Sequence, residues 1–282
     1  MIIMCADDFG ISPGVNAGIL ELVQSNRLSA VSCMTGLPAF SQDGPALKTL
    51  RQNIDVGVHL TLSDQEPIGD MPILAPAGKF PPFGTVLTRA LMGRLPIQEV
   101  AAEVKRQIDA FVGVFGEPPD FLDGHHHVHQ LPGIRAIVLA AAVEYGLEKK
   151  IYVRSCDDRL RAVMKRRVAL GTALSIGIFG ASLRRDARKL GILTNTGFAG
   201  AYRYQGGVAY GDVFPRMLRA LEPGSIMFCH PGVPDQELRR RDSFVDGRLG
   251  ELDYLKSDLF AKHLKERNIS IGRFADTAIN AV

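Results

Sequence analysis

The 282-residue chain is 46% hydrophobic and 22% charged, the composition of an ordinary globular protein with a substantial core, long enough for one large α/β domain or two small ones. Its net charge of +3 is too mild for a dedicated nucleic-acid binder, and 7% aromatic content without tryptophan offers few stacking platforms. Nucleic acid is therefore not an expected partner.

Short β-rich runs alternate with helical patterns from end to end, which predicts βα units around a parallel sheet. "MIIMCA" reads as a buried strand and "GVNAGILELVQSN" as the helix after it. "AVSCMTG" and "IDVGVHLTL" are the next two strands, separated by a helix near "DGPALKTLRQN". The proline- and glycine-rich stretch 64–96 predicts a long loop excursion without an element of its own, of the kind that shapes binding sites. The strongest helical pattern follows: Ile97, Val100, Ala101, Val104, Ile108, Phe111, Val112 and Phe115 share one face, with Glu99, Glu103, Arg106 and Asp109 elsewhere. "PDFLDGH" predicts a strand, "GIRAIVLAAAVEYG" a helix and "KKIYVRS" a strand.

Segment 157–204 has no clear pattern beyond an apolar run, 168–183, flanked by Arg159, Arg161, Lys165, Arg166, Arg167, Arg184, Arg185, Arg188 and Lys189. Solvated helix faces around a core segment explain that cluster most simply; a surface for an anionic or lipid-linked substrate is the sharper alternative. "DVFPRMLRALEPG" then reads as a helix, "SIMFCHPG" as a strand, "YLKSDLFAKHLKERN" as one helix and "ISIGRFAD" as a last short strand. No repeat or linker appears, so one domain over 1–282 is expected. The run 168–183 contains three glycines and is shorter than a membrane span requires. "MIIMCADDFG" lacks the basic region of a signal peptide, and Cys5, Cys33, Cys156 and Cys229 form no CxxC pair. Reduced core thiols and cytoplasmic residence are expected, and a homodimer is compatible with the sequence.

The conspicuous polar residues fall at the carboxyl ends of the predicted strands: Asp7 and Asp8 after the first, His59 after the third, His125, His126, His127 and His129 after the fourth, Arg154 after the fifth and His230 after "SIMFC". In parallel barrels and open sheets those ends face one shared crevice. Each residue alone has a packing explanation, but their common placement predicts an active site. Two imidazoles and one carboxylate on one side of an ion leave positions open for water and substrate, whereas a closed structural site calls for four ligands and cysteine.

"ADDFG" at 6–10, "GVHLTL" at 57–62, "LDGHHHVH" at 122–129 and "HPG" at 230–232 resemble, in order and spacing, the signature blocks of the YdjC-like family of carbohydrate deacetylases, with the poorest match over 157–204. The resemblance implies an α/β fold, a TIM-like (β/α) barrel variant with seven strands. It also implies a divalent ion, Mg2+ or Zn2+, and removal of acetyl groups from N-acetylated sugars or oligosaccharides. Carried over by residue, it makes Asp8, His59 and His125 the metal ligands and Asp7 the general base. His230 would then protonate the departing amine, and Arg154 would keep Asp7 ionised. His127 shares the parity of His125 in an extended chain and would reach ligand or substrate, His126 and His129 would be supports, and Asp123 would anchor an imidazole of the cluster. The alternatives are another metal-dependent hydrolase, of phosphoesterase or amidohydrolase type, and a non-catalytic sugar-binding protein; a second aspartate beside the ligand has no use in the last.

Overall fold

A computed structural model describes residues 1–147, 151–202 and 208–277. Along the chain run β1 (Ile3–Phe9), α1 (Pro13–Gln24), β2 (Ala30–Cys33), α2 (Pro38–Lys48), β3 (Asp55–Leu60), α3 (Phe83–Leu91), α4 (Ile97–Phe115), β4 (Phe121–Gly124), α5 (Ile134–Tyr145), β5 (Tyr152–Val153), α6 (Leu160–Arg166), α7 (Leu170–Lys189), β6 (Phe198–Ala199), α8 (Tyr210–Met217), β7 (Ile226–Cys229), α9 (Gln236–Arg241), α10 (Asp246–Lys256) and α11 (Asp258–Glu266). Local chemistry sets several boundaries. Ser12 caps α1 by accepting from the Val15 amide at 3.3 Å with Pro13 at the first helical position. Gly116, at φ 78°, ends α4 in the left-handed conformation that glycine takes without strain.

The seven strands are all parallel, in the order β5-β4-β3-β2-β1-β7-β6, and form a curled half-barrel wrapped by helices. Side chains alternate between its two faces. Met4, Ala6, Val31, Val56, Val58, Leu122, Val153, Met227 and Cys229 pack outward into the large core under the helices. Ile3, Cys5, Ala30, Phe121, Tyr152, Ile226 and Phe228 point inward and fill the lower barrel. No helix among the described residues is long and apolar enough to cross a membrane.

Between the edge strands β5 and β6 the sheet is open, and a side chain bridges the gap. Buried Asn195 accepts from the Ser155 amide at 2.8 Å and donates to the carbonyls of Ser155 and Gly197, both at 2.8 Å, while the Val153 amide bonds the Leu193 carbonyl at 3.0 Å. A carboxamide carries one acceptor and two donors, and so substitutes for missing ladder bonds.

Several sequence expectations are corrected. The seventh strand is β6, inside 157–204, because "ISIGRFAD" makes only the single bridge Ile2–Ile271 and a 3-10 turn at Phe274–Asp276. "YLKSDLFAKHLKERN" is two helices, broken by the extended backbone of Ser257. The excursion 64–96 contains α3 and is pinned by α4: fully buried Glu103 accepts from the Ile68 and Gly69 amides at 2.9 and 3.3 Å. Glu103 thus belongs to the buried face, whereas Ile97 is 46% exposed. In 157–204, Arg166 and Arg184 leave the solvated cluster to pair with Asp158 and Asp157 at 2.5 and 2.6 Å. Lys149 and Lys150, the start of the expected fifth strand, and the last two positions of 157–204 lie outside the described residues.

Gly57 faces inward on β3, where a Cβ would sit 2.5 Å from the ring of fully buried Phe121. Gly57→Ala should therefore cost about 1–3 kcal/mol of stability through overpacking, read from the denaturant midpoint. An unchanged midpoint would show that the ring has room to move.

Candidate active site

The site begins with an irregularity in β1. The strand keeps register with β2 through Ala6 and resumes with Phe9 opposite Cys33, and within the interruption Asp8 adopts φ 67°. Asp7 continues the inward row of Ile3 and Cys5. Strict alternation would send Asp8 outward, under the helices; the bulge instead turns it into the barrel mouth, so both carboxylates are buried there at 1% exposure. The left-handed backbone at a non-glycine residue is strain of the kind concentrated at functional sites.

The same inward parity delivers Ser32, His59, Asp123, Arg154 and His230 from the tops of β2, β3, β4, β5 and β7. Arg154 grips Asp7 with both terminal nitrogens at 2.7 Å and reaches Asp123 Oδ2 at 2.6 Å. Asp123 Oδ1 lies 2.8 Å from His59 Nδ1 and accepts from the Ser32 hydroxyl at 2.5 Å. Asp123 thus anchors His59, not an imidazole of its own segment as expected from sequence. His59 is thereby turned so that Nε2 lies 3.3 Å from Asp8 Oδ1, and His125 Nδ1 approaches the same oxygen at 3.1 Å.

Past His125 the chain is not extended. Residues His125–Gln130 form a 3-10 turn in which His126 and His127 take φ 52° and 58°, so the parity argument for His127 fails. His127 still lines the cavity, edge-on to Phe198 and Phe228 and 3.6 Å from Cys156 Sγ. His126 lies at the rim against Ser63 and Asp64, at 3.0 and 3.4 Å. His129 Nε2 donates to the Arg154 carbonyl at 2.8 Å, a support as expected.

Electrostatics divide the imidazoles. Burial opposes charge on His59, yet the carboxylates of Asp123 and Asp7 outweigh it and push the ring up to about 10. Burial draws His126 down to about 3, His129 to about 4 and His230 to about 4. Burial also disfavours charge on Asp8, but Arg248 and His125 hold it well below the usual carboxylate range. Three buried carboxylates, Asp7, Asp8 and Asp123, and the partly buried Asp242 face two buried guanidinium groups, Arg154 and Arg248, so the pocket is short of positive charge.

A divalent ion fits that deficit. The ligand atoms of Asp8, His59 and His125 lie within 4.8 Å of one another, a hard carboxylate oxygen with two imidazole nitrogens. Asp7, His59 and Asp123 meet the same distance criterion, but their carboxylates are already committed to Arg154 and Ser32. The first set is the better candidate.

The cavity above, about 350 Å³, is also lined by Phe83, Tyr202, Asp242, Phe244 and Arg248. None of these was expected from sequence: Phe83 opens α3, and Arg248 sits in α10, where a buried arginine reads as a surface one. Behind the cavity, buried Glu251 accepts from the His230 amide at 2.6 Å and the Tyr202 hydroxyl at 2.9 Å, and burial pushes it up to about 7. Ser32, also missed, was legible in principle, because strand parity sets it beside His59.

A family model described as YdjC-like protein matches residues 1–266. Over 280 residues the chain is 31% identical to the chitooligosaccharide deacetylase of Serratia marcescens, covering 98% of each. Among solved structures, a protein of Enterococcus faecalis V583 named for cellobiose-phosphate cleavage aligns with a TM-score of 0.73 at 21% identity over 97% of both chains. A peptidoglycan N-acetylglucosamine deacetylase aligns at 0.50 and 12% identity, covering 98% of this chain and 86% of its own. At such identities the two structures speak for the fold.

Because His59 carries a proton below about pH 10 in the absence of an ion, zinc binding at pH 7 should release about one proton, seen as buffer-dependent heat in titration calorimetry. His59→Ala and His125→Ala should lose the ion, and His126→Ala should keep it. Full zinc occupancy in either of the first two would refute the ligand set.

Proposed function

The chain belongs to the YdjC-like family, and from that premise we propose that it is a metal-dependent hydrolase that removes acetyl groups from N-acetylated carbohydrates, chitooligosaccharide-like or glycolipid-borne. The observation that carries this reading is the convergence of Asp8, His59 and His125 on one point beside an arginine-held Asp7. A binding protein has no use for that second carboxylate. The curated relative from Serratia marcescens, matched end to end, bears the name of the same reaction. Four cysteines held as buried free thiols are in keeping with a cytoplasmic enzyme.

Asp8, His59 and His125 would hold Mg2+ or Zn2+, which when bound supplies Lewis acidity toward the acetamide carbonyl and the attacking water. Asp7 accepts the proton of that water. Arg154 keeps Asp7 oriented through paired bonds and leaves its outward lone pairs for this transfer. Phe83 and Phe244 line the cavity wall and offer the sugar apolar contact there. His230 protonates the amine as the carbon–nitrogen bond breaks. One observation favours a second reading of this last step. Burial leaves the His230 ring neutral above about pH 4, so Asp7 could itself return the proton it has taken.

Acetate release from diacetylchitobiose and longer chitooligosaccharides, with and without chelator, tests the assignment. Chelator-sensitive release is expected; no release from any N-acetylated sugar would overturn it. Asp7→Asn should retain the ion and lose about 10²- to 10⁴-fold in turnover. Survival within a few-fold would give the base to another group.

His230→Ala separates the two readings of the acid. An amine leaves poorly unless protonated, whereas the phenolate of an activated acetyl ester needs no help. Turnover on acetamides should fall strongly while ester hydrolysis stays nearly as before. Equal losses on both substrates would remove His230 from the acid role.

A further inference from the structure

We infer that Arg248 is a positioning residue of the metal site: it withholds one oxygen of Asp8, so that this carboxylate offers an ion a single, weakened donor. The inference rests on the metal-dependent reading above. Asp8 Oδ1 faces both imidazoles, at 3.1 and 3.3 Å, while Oδ2 turns away and lies 2.6 Å from Arg248 Nη2. Arg248 is fully buried and anchored from behind. Its Nε donates to the Phe244 carbonyl at 2.8 Å, Nη2 also donates to Asp242 Oδ2 at 2.5 Å, and its own carbonyl accepts from the Gly232 amide at 3.2 Å, beside the loop that carries His230. The guanidinium cannot swing away without breaking three hydrogen bonds.

A permanent cation behind a metal ligand has an electrostatic consequence of definite sign. It repels the ion and draws electron density from the shared carboxylate, so it lowers metal affinity. A carboxylate present only to bind metal would be better left to two neutral donors. Arg248 Nη1 is moreover buried without a hydrogen-bond partner among the described residues. What the arrangement supplies is catalytic. With an ion held by Asp8, His59 and His125, Asp8 would be kept from offering both oxygens, which would leave room for carbonyl and water, and its weakened donation would leave the ion a stronger Lewis acid toward them. Asp242 sets the orientation by taking a share of the same nitrogen.

Arg248→Met, similar in length and uncharged, and Arg248→Lys, which keeps the charge, test this by zinc titration against a chromogenic chelator alongside kinetics on diacetylchitobiose. The methionine variant should bind zinc more tightly, by about tenfold, while kcat falls by about 10² with KM within a few-fold. The lysine variant should keep near wild-type zinc affinity and recover part of kcat. Weaker zinc binding in the methionine variant, in step with lost activity, would reduce Arg248 to a scaffold and overturn the inference; so would unchanged kcat. Should circular dichroism show the methionine variant unfolded, the lysine variant decides, with zinc affinity more than tenfold below wild type counting against the inference. Wild-type protein that binds no zinc would sink both readings, whereas zinc binding and acetate release by wild type without tightening in the methionine variant would sink this one alone.

Discussion

Three carboxylates buried at the mouth of a barrel, with almost no exposure to water, are the constraint on which this structure depends. Burying a charge without partners is costly enough that the group would neutralise instead. Here the cost is offset by two arginines drawn from distant parts of the chain, Arg154 after β5 and Arg248 in α10. The balance is left short of positive charge, the more so because Asp242 shares Arg248 with Asp8. The carboxylates of Asp123 and Asp7 lift His59 toward high pKa, and the shortfall is one that a divalent cation would fit. The same residues therefore link folding and chemistry.

Precision in the site comes from strands, not loops. Asp7, Ser32, His59, Asp123, Arg154 and His230 occupy successive inward positions directly above the apolar layers of Phe121, Tyr152, Ile226 and Phe228, so each functional side chain stands on packed hydrocarbon. The one residue that breaks the alternation, Asp8, does so through a bulge with a strained backbone. Hydrogen bonds then pass orientation sideways: Arg154 to Asp123, Asp123 to His59, His59 to Asp8. A displacement anywhere along this chain would be felt at the imidazoles.

The less regular half of the barrel is organised differently. β5 and β6 are two residues each and do not pair, and Asn195 supplies the hydrogen bonds that a ladder would have made. Thr172, Ser175 and Ile176 of α7 line the active cavity on this side. The opposite wall, with Phe83, is contributed by α3, part of the excursion that buried Glu103 pins at the Ile68 and Gly69 amides. The strands carry the buried polar residues, and two inserted segments form walls of the cavity above them.

The sequence by itself determined the parallel α/β architecture, the strands β1 to β5 and β7, and the convergence of Asp7, Asp8, His59, His125, Arg154 and His230. All of that follows from periodicity and from where a polar residue interrupts an apolar run, which are local properties of the chain. It mistook "ISIGRFAD" for the seventh strand and saw no element in 64–96, because a two-residue strand such as β6 and a helix inside a proline-rich stretch leave too short a pattern to read. Only the tertiary structure decided which oxygen of Asp8 meets which nitrogen, that Asp123 serves His59, that His126 and His127 leave the extended path, and that Arg248, separated from Asp8 by most of the chain, pairs with its second oxygen. Those choices depend on contacts between residues far apart in sequence, and a buried arginine and a solvated one look the same until the chain has folded around them.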